Sequence, residues 1–544
     1  MWIWKVYDWR FIMYYNNEIW VASAGDKKIS IVPKMANRHG LIAGATGTGK
    51  TVTLKVMAES FSDCGVPVFL ADVKGDLAGM CRPGIDSADM QERIARFGLA
   101  ECGFDYEAYP TCYWDIYGQN GIPLRTTISE MGPTLLARLM DLNPTQTAIM
   151  QIVFKIADDE GLLLLDIKDL RSMLQYVYEN AKEYSAIYGN MAKQSIAAIV
   201  RSVVALEEAG GDQFFGEPGL NIRDWFQTGN GGKGMINILD CQSLINNPTM
   251  YSTFMLWMMS ELFETLPEAG DAEKPRMVFF FDEAHLLFED APKALLQKIE
   301  QVVKLIRSKG VGIYFITQNP SDIPNDVLAQ LGNKVQHALH AYTPAEKKKV
   351  KAAAESFREN PEFDTMEAIS SLGIGEALVS FLDREGRPSV VERAKILPPK
   401  SQMGPIDEMT RNRQIQQNNL YIKYEAVEDR DSAYELLTKR IAAEDAAEQQ
   451  AKEDALQAKA EEKQRKLEEK ELERQRAAAE REAERKAKKT KTAVKSVAKT
   501  ATGTIGREIG NTIGSSVGGK FGKKLGGNLG AALGRGLLDT LFRF

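Results

Sequence analysis

The chain has 544 residues, 44% of them hydrophobic, and a formal net charge of −6. That length allows roughly two to four folding units with sizeable cores, and the charge excludes the overall basic field that would advertise nucleic acid. Five cysteines with no C-x-x-C pair fit a reducing, cytoplasmic setting better than a disulfide framework, and no uncharged apolar run reaches the ~18 residues of a membrane span.

Residues 1–38 form a lead-in. Its aromatic start, Met1-Trp-Ile-Trp4 through Trp20, is punctuated by Lys5, Asp8 and Arg10 and lacks a small-residue cleavage site, so it reads as a strand or hairpin and not as a signal peptide. From 39 to 400, short apolar runs alternate with helical stretches, the pattern of an α/β domain around a parallel sheet with helices on both faces.

The first run, Gly40–Gly44, leads into Gly44-Ala45-Thr46-Gly47-Thr48-Gly49-Lys50-Thr51, and Val52–Phe61 has helical spacing after it. Strand, G-x-x-x-x-G-K-T loop and helix in this order make a phosphate-binding loop. The glycines let backbone N–H groups turn around the β-phosphate, and the helix adds its positive end. Lys50 is expected on the β- and γ-phosphates of ATP and Thr51 on Mg2+.

A second strand is expected over Val66–Val73, followed by an insertion, about 85–235, that is mostly helical by spacing and rich in Leu, Met and Ala. The third, Met277–Asp282, ends in two carboxylates: Asp282 for the magnesium shell and Glu283 to polarise the attacking water. The fourth, Gly312–Thr317, delivers Gln318, a residue type able to sense the γ-phosphate. Lys334–Ala341 and Glu376–Leu382 are expected to extend the sheet. Asp282-Glu-Ala-His285 invites comparison with DEAH-type helicases, but the S-A-T and arginine-rich motifs of those enzymes are missing. His285 is then a residue of the turn after the strand, and His39, His337 and His340 show no metal-ligand spacing.

Pro398-Pro399 and Gly404-Pro405 close the compact part, and 401–432 reads as a linker. Residues 433–489 are dominated by Ala, Glu, Lys, Arg and Gln, with acid-to-base pairs four apart such as Glu448/Lys452 and Glu462/Lys466. A solvated single helix is favoured over a coiled coil, since Leu456, Leu467 and Leu472 make no sustained seam. The final part, 490–544, starts with a basic cluster (Arg485 to Lys491, Lys495, Lys499) and continues as a Gly-zipper-like repeat from Ile505-Gly506 to Leu533-Gly534. An apolar residue followed by glycine every four positions would cost an isolated helix roughly 8 kcal/mol, so close packing must offset it. The tail is therefore expected to associate with itself, a partner helix or a membrane surface.

With these motifs placed, the chain resembles the HerA/FtsK group of P-loop ATPases, most closely the bacterial HerA C-terminal-domain-like, YjgR-type family. The resemblance is carried by Met35–Thr51, Phe69-Leu-Ala-Asp72-Val-Lys-Gly-Asp76, the Asp282/Glu283 strand, and Leu305-Ile-Arg307 through Gln318, and it extends over about 30–400. It implies a RecA-like ATPase domain over 39–400, with Asp72 near the nucleotide, Arg307 as a finger reaching a neighbouring subunit, and a hexameric ring. Arg384 and Arg393 are alternative fingers. The 38-residue lead-in is shorter than the N-terminal β-barrel of HerA itself. The expected function is an ATP-hydrolysing ring motor that moves DNA or another polymer; the competing expectation is a nucleotide-switched assembly or scaffold protein acting through its tail.

Overall fold

The computed structural model describes residues 14–15, 17–289 and 293–491. The aromatic residues 1–13 and the tail from 492, with its glycine repeat and the basic residues Lys495 and Lys499, lie outside the described residues. The chain divides into two units, through Glu444 and from Asp445.

Among the described residues, the first unit is built on one sheet of thirteen strands. In chain order these are β1 (Tyr14–Tyr15), β2 (Glu18–Ala24), β3 (Lys27–Ile31), β4 (Gly40–Ala43), β5 (Val68–Asp72), β6 (Thr111–Asp115) and β7 (Ile122–Pro123). There follow β8 (Ile236–Asp240), β9 (Met277–Phe281), β10 (Val311–Thr317), β11 (Asn333–Gln336), β12 (Glu376–Ser380) and β13 (Glu392–Ile396). Across the sheet the order is β1-β2-β13-β12-β11-β4-β10-β9-β5-β8-β6-β7, with β3 beside β2. The stretch from β11 to β7 is parallel throughout, and the β12, β13, β2 side is antiparallel.

This is a RecA-like P-loop fold. β4, β5, β9 and β10 are buried at every position, and such strands read as unbroken apolar runs without alternation. Phenylalanines from β9 stack along the core: Phe280 on Tyr314 at 5.2 Å and Phe281 on Phe315 at 5.7 Å between ring centres. The described part of the lead-in includes the hairpin β2–β3, which joins the sheet through β13.

Two expectations need correction. The segment 85–235 contains helices such as Pro144–Glu160 and Ile167–Glu179, but it also supplies β6 and β7, and β8 follows at its end, so the sheet runs on through it. Thr-Cys-Tyr-Trp-Asp is short and fully buried, and a run of that length carries no period by which to tell strand from helix. The segment 401–432, expected as a linker, is packed onto the first unit. Helices Glu408–Gln417 and Asn419–Tyr424 bury Ile415, Leu420 and Tyr424, and the Tyr424 ring meets Trp114 at 5.6 Å.

Underneath lies a polar face that anchors this strap. Helix α1 (Lys50–Asp63) places Lys55, Glu59 and Asp63 four residues apart on one side, all buried. Lys55 Nζ donates to the Gln402 carbonyl at 2.7 Å, and Glu59 accepts from Lys400 N at 2.7 Å and Ser401 Oγ at 2.5 Å. Asp63 pairs with Lys233 at 2.8 Å and Lys400 at 3.3 Å.

The helix Ala433–Lys491 continues into the second unit. From Asp445 on, its described side chains are exposed, Leu456, Leu467 and Leu472 included, and the expected Glu448/Lys452 and Glu462/Lys466 pairs form at 2.6 Å. Such acid-to-base pairs four apart support an exposed helix locally.

Candidate nucleotide site

The parallel strands deliver their carboxyl ends to one edge of the sheet, where α/β folds bind ligands. β10 lies between β4, which precedes the phosphate loop, and β9, which precedes the acidic pair. The three motifs, distant in sequence, therefore end side by side.

The loop Gly44–Gly49 turns back over β4 with Gly47 at φ 79° and Gly49 at φ 115°, values that favour glycine. It is bracketed by its neighbours: Ala45 N donates to the Ala338 carbonyl at 2.9 Å, and Gly375 N donates to the Thr48 carbonyl at 3.1 Å. Thr46 and Gly47 are exposed at its crest. His337, just after β11, packs so closely that a Cβ on Gly44 would lie 2.5 Å from its own Cβ. Its ring nitrogens lie 3.0 Å from the Glu376 carbonyl and 2.8 Å from Thr53 Oγ1. A carbonyl only accepts, which puts the proton on Nδ1 and leaves Nε2 to accept from the threonine. Burial lowers this imidazole to about 4, so it braces the loop as a neutral ring.

Lys50 opens α1, and its Nζ donates to the Gly44 and Ala45 carbonyls at 2.6 and 3.1 Å. Burial, reinforced by the nearby Lys74, lowers its pKa. Thr51 Oγ1 lies 3.4 Å from Asp76 Oδ2. At the end of β9, Asp282 is buried and pushed up to about 6; burial dominates, Lys74 opposes it and the Glu283 charge adds to it. A hydroxyl beside one carboxylate, with a second carboxylate buried among like charges, is a donor set that fits Mg2+.

Glu283 takes a left-handed backbone, φ 45° and ψ 50°, uncommon for a residue with a side chain and typical of functional turns. The turn aims its carboxylate at three partners. Lys74 Nζ lies 2.7 Å from Oε1; Gln318 Nε2 and His285 Nδ1 lie 3.5 and 3.3 Å from Oε2. Burial, the largest single influence, would raise this carboxyl, but the bond and charge of Lys74 together with His285 and Gln318 outweigh it and hold the group below its ordinary range.

The structure thus gathers Gly44 to Thr51, Asp282, Glu283 and Gln318 at one edge. Asp72 ends β5 at the same edge, one residue beyond Ala71, which pairs with Phe281. Its oxygens accept from Gly75 N at 2.7 Å and Leu77 N at 3.1 Å, so it shapes the loop after β5 with both oxygens engaged by backbone. Burial and the neighbouring Asp76 raise it to about 7. Arg307 is not gathered. It lies in the turn Arg307–Lys309 ahead of β10, at the opposite edge of the sheet, exposed and lining a groove with Lys34, Arg38 and Lys304. Arg384 and Arg393 are ion-paired to Glu18 and Glu376. Lys74, Asp76 and His337 were missed as site residues; the Asp72-Val-Lys-Gly-Asp76 string was the available signal for the first two.

Comparison with known proteins gives this arrangement a family. The family described as helicase HerA-like C-terminal matches residues 18–524. Two relatives named DNA double-strand break repair helicase HerA, from Sulfolobus acidocaldarius and Saccharolobus solfataricus, are each 21% identical, over 367 and 353 residues. The alignments cover 66% and 63% of this chain and 65% and 61% of theirs, so the chain spans just under two thirds of their length. Among solved structures, plasmid coupling protein TrwB with a non-hydrolysable ATP analogue aligns at 14% identity and TM-score 0.48, covering 73% of this chain and 93% of that one. VirB4 of Thermoanaerobacter pseudethanolicus aligns at 15% and 0.44, covering 70% and 97%. Because the family match runs across most of the sequence and over the whole phosphate-loop domain, the chain belongs to the helicase HerA-like C-terminal family, a P-loop ATPase by fold.

Proposed function

We propose that the chain hydrolyses ATP as a ring of identical subunits, most simply a hexamer, and couples turnover to movement along DNA. The reading stands on Glu283, a carboxylate held by its backbone turn beside the phosphate loop and within 3.5 Å of Gln318. A binder that only holds nucleotide needs no such group.

In this mechanism the Gly44–Gly49 amides take the β-phosphate, and Lys50 leaves its two loop carbonyls for the β- and γ-phosphates. Thr51 and Asp282 would hold magnesium, whose charge would offset that of the phosphates. Glu283 orients water for in-line attack on the γ-phosphorus, giving ADP and phosphate, and Gln318 detects the loss. Arg307, exposed on the far edge, is suited to a neighbour's site. Asp72 acts by shaping its loop. DNA is supported by the name of the HerA relatives, which are repair helicases.

The test is ATP turnover with and without duplex and single-stranded DNA at low salt, alongside oligomer mass. Stimulation by DNA is expected. No rise from an intact oligomer would turn the reading to a nucleotide-switched scaffold.

A further inference from the structure

The site holds a second lysine for which the mechanism above has no use. Lys74 follows β5 in a loop that Asp72 fixes through Gly75 N and Leu77 N. Gly75 in that loop is at φ 76°, a backbone conformation that residues with a side chain rarely adopt. The long side chain is a different matter: it is 42% exposed and ends 2.7 Å from Glu283 Oε1. Glu283 is 8% exposed, so a part-exposed cation is paired with a buried carboxylate.

Two facts about position go further. The Lys50 ammonium feels the Lys74 charge as its largest influence after burial, so two cations converge on one region, one from the start of α1 and one from the loop after β5. In addition, the water that Glu283 would orient must lie between its carboxylate and the γ-phosphorus, each within about 3 Å. A cation bonded to that carboxylate is then within one change of rotamer of the terminal phosphate oxygens. A lysine stem allows such a change, whereas the backbone beneath it does not.

We propose that Lys74 is a second phosphate-binding lysine: it exchanges its Glu283 partner for the terminal phosphate of ATP, and by leaving frees the Glu283 carboxylate to face water. The exchange breaks one ion pair and forms another, with no covalent change. ADP, without the terminal phosphate, leaves the Lys74–Glu283 pair intact. The site thereby discriminates triphosphate from diphosphate and ties the availability of its base to the presence of substrate. This inference rests on the ATP-hydrolysing reading of the same site.

The test is equilibrium binding, read independently of turnover, with the magnesium complexes of adenylyl imidodiphosphate and ADP. Lys74→Ala should weaken the triphosphate analogue about tenfold while changing ADP less than about threefold, as expected for one lost charge-assisted contact. Lys74→Arg should recover part of the loss. Glu283→Gln, which releases Lys74, should tighten the analogue, and the gain should vanish in the Lys74→Ala/Glu283→Gln double variant. Thermal melting of each variant reports its fold, and the exposure of Lys74 makes it replaceable. An equal loss for both nucleotides, no loss, or a Glu283→Gln gain that survives without Lys74 overturns the proposal; the ATP reading then still stands, provided Lys50→Ala abolishes binding of both. If the unmodified chain binds neither nucleotide, the ATP reading itself fails.

Discussion

Lys50 and Glu283 face the same nucleotide in different ways, which makes them separable. Lys50→Ala removes a contact to ground-state phosphate and should abolish nucleotide binding. Glu283→Gln keeps the contacts and removes the base, so ATP should still bind while turnover falls by ~10²-fold or more. Equal hydrolysis rates for Glu283→Gln and the unmodified chain would remove Glu283 from this role. His39 offers a pH prediction away from the site. It is fully buried, with ring nitrogens 2.8 Å from the Val303 carbonyl and 3.0 Å from Ile313 N, so one nitrogen donates and the other accepts. Burial lowers it to about 4 from 6.5. The unfolded chain takes up this proton first as pH falls, so the contribution is complete above pH 6.5 and is lost on the way down to 4, by about 3 kcal/mol. Glutamine can also donate and accept but does not titrate. The stability difference between the unmodified chain and His39→Gln should therefore shift by that amount across this window, the buried carboxylates being common to both. A difference that stays flat would mean His39 is protonated in the fold. The motif residues were legible because each lies in a contiguous string whose types match one chemistry. Lys74 lay within the legible Asp72-to-Asp76 string, but its place, like that of His337, comes from contacts with residues far along the chain, Glu283 and Thr53, which no local pattern encodes.

At the scale of elements, the polar face of α1 decides what the phosphate-loop helix rests on. Asp63 is fully buried between Lys233 and Lys400, and removing it leaves both ammonium groups to the part-exposed Glu107. Asp63→Leu should cost about 3–5 kcal/mol, read by denaturant unfolding of the first unit's signal. A loss below ~1 kcal/mol would mean the lysines find water. The four-residue spacing of Lys55, Glu59 and Asp63 was open to inspection in the sequence; a charged stripe usually faces solvent, and only the docking of residues 400–402 turns it inward. For the same reason the strap at 401–432 read as a linker: its polar composition describes the outer face, while Ile415, Leu420 and Tyr424 make the inner one. The central strands were readable because buried parallel strands are continuous apolar runs ending in functional residues. β6 and β8 share the burial but end in no recognised motif, and β6 was absorbed into its helical surroundings.

For the molecule as a whole, assembly is the main prediction. If Arg307 serves a neighbour, activity should depend on protein concentration, and Arg307→Ala should lower turnover by ~10³-fold. Mixing Arg307→Ala with Glu283→Gln subunits should restore part of it, because one kind of interface then pairs an intact arginine with an intact base. Full activity from a monomer, by light scattering and turnover, would refute the shared site. Deleting residues 501–544 should leave per-subunit hydrolysis largely unchanged while altering oligomer mass or membrane recovery; identical mass and partition would leave the repeat without an associating role. The two ends of β10 bear on what such a ring does. The strand is seven residues long and buried throughout, with Gln318 just beyond one end and Arg307 just before the other, about 20 Å away. In the proposed ring, news of a spent phosphate would pass along this stiff rod to one adjacent subunit and not to the other. The order of firing around the circle would then have a handedness, set by the direction in which a single strand is threaded.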